Sequence, residues 1–215
     1  MSATRRRGPS AAEVRRRQGL EDQIAALADS VEYVVAIDPA SRVTGAAVLG
    51  VAGEKLVDAQ RVYSSKEDPT SRMREIVTDL RGMIAGQPWP EGVVISTMGT
   101  GRLPTTVAIV IEIPTPKRSK RTEETTGGFG LPTYARAVGR IEALAEEIAA
   151  DEARVVLVNE RTWTGSRPKA DNAAAVRAQF PQLDAARDQG CDVADAVGLG
   201  LWVVRRLAMY RRADP

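Results

Sequence analysis

The residue types in this chain leave few routes to chemistry. Its 215 residues include no histidine and one cysteine, Cys191, which removes Ser-His and Cys-His nucleophile pairs, imidazole zinc sites and internal disulfides. Carboxylates and lysines must carry any reaction. Asp38 closes the apolar run Val34 to Ile37 and precedes turn-forming Pro39, so it stands at the end of a buried strand. Glu112 is the one charge in TTVAIVIEI, residues 105–113, where a carboxylate is costly unless a cation, a hydrogen bond or solvent meets it. Asp192 and Asp195 are three residues apart at the start of a helical stretch, hence on one face. Lys169 falls in the first turn of another predicted helix, where a cation opposes the macrodipole unless an anion faces it. A carboxylate fixed on a strand beside a polar bend bearing Ser41, Arg42 and Thr44 suits metal or phosphate chemistry. Plainer roles compete: Asp-Pro initiates turns, acids favour helix starts, and a lysine can simply be solvated.

These residues need elements to hold them. Val34–Ile37, Gly45–Val51 and Lys55–Ser64 read as three strands of an antiparallel meander. Asp68-Pro69 opens a helix with an apolar stripe at Met73, Ile76, Leu80 and Ile84. Residues 86–104 carry a poor signal, compatible with a short extra strand in a loop. The run 105–113 reads as a central strand buried on both faces, ended by Pro114 and Pro116. A helix with the stripe Tyr134, Val138, Ile141, Ala145 and Ile148 follows, then a strand at Val155–Val158, a helix from about Pro168 to Phe180, and a last helix from about Cys191 to Tyr210. Gly198 and Gly200 cost roughly 1 kcal/mol each inside that helix, so close packing on the sheet is expected, drawing its acidic turn towards Asp38 and Glu112. Cys191 reads as a small core or turn residue.

Lysine and arginine total 30 against 28 acids, a net charge of +2, but the cations cluster at Arg5–Arg7, Arg15–Arg17, Lys117–Arg121, Arg205–Arg206 and Arg211–Arg212. Such patches point to a polyanionic partner. Residues 117–131 join Lys117, Arg118, Lys120 and Arg121 to a glycine-rich stretch around Phe129, read either as a solvated connection or as a DNA-gripping loop with an aromatic probe. Residues 1–30 read as a basic arm and helix, with Ser10 and Glu13 at capping-box spacing, and residues 31–215 as the domain. No run approaches the roughly 18 apolar residues of a membrane span, and no secretory signal begins the chain. A cytoplasmic protein is expected, and the arginine and alanine bias suits a bacterial or phage genome.

Four motifs in order, IDPASRVTGAAV at 37–48, VIEIP at 110–114, GRIEAL at 139–144 and DVADAVGLG at 192–200, resemble the RuvC-type Holliday junction resolvases. The resemblance spans about residues 33–205. It implies a ribonuclease H-like α/β fold: a mixed five-stranded sheet, an antiparallel meander followed by parallel strands, flanked by helices. Asp38, Glu112, Asp192 and Asp195 match the family's catalytic, metal-binding acids, and Lys169 falls near a lysine the family uses beside the scissile phosphate. The chain departs from the family at Ala40, usually Gly, in the loop after Glu112, and around Thr162–Thr164, where a further basic residue has no counterpart. The implied activity is Mg²⁺- or Mn²⁺-dependent hydrolysis of branched DNA, four-way junctions above all, by a homodimer. Oxygen ligands suit such hard cations, and two ions about 4 Å apart can orient water and stabilise the leaving oxygen without a nucleophilic side chain. Arg42, Lys117, Arg118, Lys120, Arg121 and Phe129 are the expected DNA contacts. Other readings are a non-catalytic branched-DNA-binding protein of the same fold and a fragment of an actin- or sugar-kinase-like ATPase, which would need a second phosphate loop.

Overall fold

A computed structural model describes residues 10–40, 42–89, 101–113, 130–165, 167–185, 187–188 and 190–213. One mixed sheet forms the centre. Its strands are β1 (Tyr33–Asp38), β2 (Val43–Gly50), β3 (Lys55–Tyr63), β4 (Val107–Ile113) and β5 (Val155–Asn159), in the spatial order β3-β2-β1-β4-β5. The meander β1-β2-β3 is antiparallel, whereas β4 and β5 run parallel to β1. β1 and β4 therefore finish at the same edge of the sheet, with Ile37 beside Ile111, which puts Asp38 and Glu112 together one residue further on.

Strand alternation divides the core in two. Val35, Ile37, Ile109 and Ile111 face helices α2 (Pro69–Ala85) and α3 (Gly130–Ile148), whose buried residues include Ile76, Leu80, Ile141 and Ile148. Val34, Ala36, Ala108 and Val110 face the opposite way, onto α1 (Ala11–Leu27) and the last helix, α6 (Asp192–Ala213). Asp38 and Glu112 continue this second register, so both carboxylates point to the α6 side. The short helix α4 (Glu160–Thr164) and α5 (Lys169–Gln179) complete that layer.

The Ser10 hydroxyl accepts a hydrogen bond from the Glu13 amide and caps α1. Further along this helix Ile24 and Leu27 are buried, Glu21 pairs with Arg206 and Tyr210 of α6, and Arg211 donates to the Ala28 carbonyl. The second half of α1 thus belongs to the core layer, while Val14 in the first half stays exposed.

The approach of α6 to the sheet rests on missing side chains. A Cβ on Gly200 would meet Leu49 Cδ1 at 2.3 Å and Ala36 Cβ at 3.1 Å, as expected for sheet contact. Gly198 instead accommodates Trp163, whose ring would lie 2.9 Å from its Cβ, so only one of the two glycines serves the sheet. Gly45 is a stronger constraint. It pairs with Asp38 across the hairpin, and a Cβ there would sit 1.9 Å from the Asp192 carbonyl oxygen. Gly45→Ala should push the start of α6 away, with a loss on the order of 1–3 kcal/mol for overpacking, read as a lower melting temperature by circular dichroism. An unchanged melting temperature would show that the helix start is not pinned to β2.

Candidate active site

Four acids reach one edge of the sheet from three elements. Asp38 ends β1 and Glu112 is the penultimate residue of β4, both 8% exposed. Asp192 and Asp195 occupy the first turn of α6, which Gly45 lets down onto the strand that carries Asp38's partner. The amides at the start of this helix are met by Asp188, whose two carboxylate oxygens each accept one backbone amide, from Val193 and Ala194, at 3.0 Å. Asp188 is itself held by Arg177 at 3.1 Å. The Cys191 carbonyl accepts the Asp195 amide, and Cys191 adopts a left-handed φ of 61°; it is a turn residue. With the amides satisfied from outside, the carboxylates of Asp192 and Asp195 are available for other partners.

Their nearest partner is Lys169. Its ammonium lies 2.6 Å from Asp195 and 3.9 Å from Asp192, with the side chain half exposed. The anion that a cation in the first turn of α5 requires is therefore this acidic pair. Arg61 approaches Asp192 from β3 at 3.8 Å. Two residues the sequence did not single out as functional also converge. The Trp163 indole N–H donates to Glu112 at 2.7 Å, from the stretch Thr162–Thr164. Tyr134, read as part of the core stripe of α3, has its hydroxyl pKa raised by burial and then by the charges of Asp38, Glu112 and Glu160.

Burial, followed by crowded negative charge, shapes the electrostatics. Burial, then the charge of Glu112, raises the Asp38 carboxyl well above its usual range, against the pull of Lys169. Burial likewise pushes Glu112 to about 7, although the Trp163 hydrogen bond opposes the shift. Asp195 is pushed by burial to about 6 despite Lys169, and proximity to these acids raises the Lys169 ammonium pKa against its own desolvation. The site is short of positive charge. That deficit, with an oxygen-only donor set, fits a hard divalent cation. Among the described residues no three such side chains are already closed around one point; the Lys169 ammonium lies within the acidic pair.

Burial of the Glu112 carboxyl has a measurable consequence. Folding raises the Glu112 carboxyl from 4.5 to about 7, so the folded protein holds a proton that the unfolded chain releases. The stability this brings is complete below pH 4.5 and is lost as pH rises through 7. With divalent ions chelated, Glu112→Gln should be more stable than the native protein at pH 8, by on the order of 2 kcal/mol. At pH 4 the two should melt together. A difference independent of pH would contradict the assigned cause.

Arg42 is exposed at the bend between β1 and β2, where its carbonyl accepts the Ser64 amide. Lys117, Arg118, Lys120, Arg121 and Phe129 lie outside the described residues, as does most of the stretch 86–104. No helix among the described residues is long and apolar enough to cross a membrane.

No protein-family model and no curated protein matches the sequence. Solved structures do. Thermus thermophilus RuvC in complex with Holliday junction substrate superposes with a TM-score of 0.52 at 18% identity, covering 82% of this chain and 96% of that one. RuvC from the same organism, in another structure, gives a TM-score of 0.49 at 19% identity, covering 84% and 96%. The yeast mitochondrial Holliday junction resolvase gives 0.47 at 11% identity, covering 91% and 95%. The first of these shows the fold: the chain has the ribonuclease H-like, RuvC-type architecture that its ordered motifs resemble.

Proposed function

We propose that this protein is a metal-dependent endonuclease that hydrolyses phosphodiester bonds in branched DNA, four-way junctions above all, and acts as a homodimer. The convergence of Asp38, Glu112, Asp192 and Asp195 at one sheet edge, with three of them held above their usual pKa by burial and then by one another's charge, is the observation that carries this reading. The RuvC-type fold makes a junction the first substrate to test.

Each residue has a share in the chemistry. Asp38 and Glu112 offer ligands from rigid strand ends, and Trp163 fixes the orientation of the Glu112 carboxylate through its indole N–H. Asp188 locks the first turn of α6, so Asp192 and Asp195 are presented without conformational search. Bound Mg²⁺ or Mn²⁺, two ions per site in this reading, supplies the Lewis acidity that offsets charge building on the phosphate. Lys169 is half exposed and can turn from Asp195 to a non-bridging phosphate oxygen, where its charge stabilises the transition state more than the ground state.

The defining experiment incubates purified protein with labelled four-way junction and linear duplex in Mg²⁺, Mn²⁺ or EDTA. Paired nicks in the junction with either metal, and none in EDTA, are expected. Junction binding without scission in every metal would leave a non-catalytic binding protein. For Lys169→Ala, a single-turnover rate loss of about tenfold or more is expected with affinity and melting temperature little changed. Equal losses in rate and affinity would make Lys169 a general DNA contact.

A further inference from the structure

A groove of about 570 Å³ is lined by α4, α5 and α6. On α5 the lining includes Asn172, Val176 and Gln179, which follow Lys169 at steps of three, four and three residues. On α6 it includes Gly198, Trp202, Arg205 and Met209, which follow Asp195 at steps of three, four, three and four. Such steps keep to one helical face, so the groove continues the two faces that bring Lys169 and Asp195 to within 2.6 Å of each other. At about 1.5 Å per residue, Asn172 and Gly198 stand roughly 4.5 Å beyond that pair along their helices. Trp163 makes a second connection. Its indole N–H reaches Glu112 at 2.7 Å, and the same side chain lines the groove, in the space that a Cβ on Gly198 would take.

The lining suits a flat ligand with a polar edge. Trp163 and Trp202 give it two indoles, and the Arg206 guanidinium lies over the Trp202 ring at 4.5 Å. Asn172 is 8% exposed, yet its Nδ2 has no hydrogen-bond acceptor among the described residues. A buried amide without a partner is costly to a fold, and a ligand that supplies the acceptor accounts for it. Nucleobase edges carry an acceptor beside a donor, the complement of a carboxamide, and their faces stack on indole and guanidinium planes. Phosphate is the poorer occupant, because Arg205 and Arg206 are already engaged by Glu54 and Glu21. Arg167, exposed in the same lining, can meet the backbone of the same nucleotide.

We infer that this groove is a nucleobase subsite: it receives an unpaired base of the cleaved strand beside the scissile phosphate, stacked on the indoles and hydrogen-bonded by Asn172. The inference rests on the nuclease reading for the presence of DNA at the acids. Extruding a base costs least where pairing is already interrupted, so the subsite favours a branch point over linear duplex.

The test moves a single abasic residue along one strand of a labelled four-way junction, on both sides of the exchange point. Affinity is measured in EDTA for the native protein, Trp202→Leu and Asn172→Leu. An abasic residue keeps the phosphates and removes one base. The native protein should lose affinity about five- to hundredfold at one or two positions, the range for one stacked base, and little elsewhere. Trp202→Leu should bind the intact junction more weakly by a comparable factor and lose the position dependence. Its slope of log affinity against log salt should stay native, because no phosphate contact is removed. Asn172→Leu should act alike in smaller measure and melt no lower than the native protein, since its Nδ2 has no partner in the fold to lose. A flat scan for the native protein would overturn the inference, as would variants that retain the position dependence. A flat scan with a changed subunit equilibrium in Trp202→Leu would assign the groove to protein contact. None of these results depends on scission. A position-dependent scan from a native protein that cuts with no metal would end the nuclease reading and leave the base subsite in place, whereas no junction binding at all would end both.

Discussion

Asp38→Asn should abolish cleavage while leaving a protein that binds junctions and melts higher than the native one in chelator. The substitution keeps the shape of the side chain and removes its charge. In the metal-free protein that charge is a burden, because Asp38 is buried and surrounded by Glu112, Asp195 and Asp192, all of which raise its pKa. At neutral pH, replacing it relieves desolvation and repulsion, so stability should rise. The carboxylate is needed only when a cation occupies the site, and its loss should lower the single-turnover rate by at least a hundred- to thousandfold, on the order of the effect of deleting one preorganised transition-state group. Gain of stability with loss of function is the expected signature of an active-site charge. A variant that loses stability and keeps its specific activity would make Asp38 a structural turn residue.

Asp195→Asn should be as damaging to the rate, and for a separable reason. The acids of the first turn could have been ordinary partners of the helix dipole, and their loss would then cost stability. Asp188 already receives the Val193 and Ala194 amides, so the helix start does not depend on Asp195. What Asp195 does have is the 2.6 Å contact with Lys169 and a carboxyl held up near 6 by burial. Neutral Asn should keep the helix, keep junction binding and lose cleavage to the same degree as Asp38→Asn. A lowered melting temperature with native specific activity would restore the helix-start role.

The sheet was legible from residue patterns because its strands are unusually unambiguous. An apolar run closing on Asp38 and another carrying Glu112 one residue before its end read as strands, and the spacing of Asp192 from Asp195 fixed a common helical face. Both glycines of α6 were expected to pack on the sheet, which holds for Gly200 alone; Gly198 receives Trp163, a residue 35 positions earlier in the chain that no local pattern connects to it. Trp163 and Tyr134 stayed hidden for the same reason. Tyr134 fits a core stripe as well as a site, and Trp163 lies in a five-residue helix too short to show periodicity. Asp188 carries no local signal, since capping from a position four residues before the helix depends on the path of the turn through Cys191.

The most direct test of a cation acting on phosphate between these carboxylates replaces a non-bridging oxygen of the scissile phosphate by sulfur. Oxygen ligands suit Mg²⁺, whereas softer Mn²⁺ tolerates sulfur better. Single-turnover cleavage of the sulfur-substituted junction, as separated stereoisomers, should be strongly slowed in Mg²⁺ for at least one isomer and substantially recovered in Mn²⁺, relative to the oxygen substrate in each metal. Equal rates for sulfur and oxygen substrates of both isomers in Mg²⁺, with chemistry limiting, would contradict direct contact between the cation and the reacting phosphate.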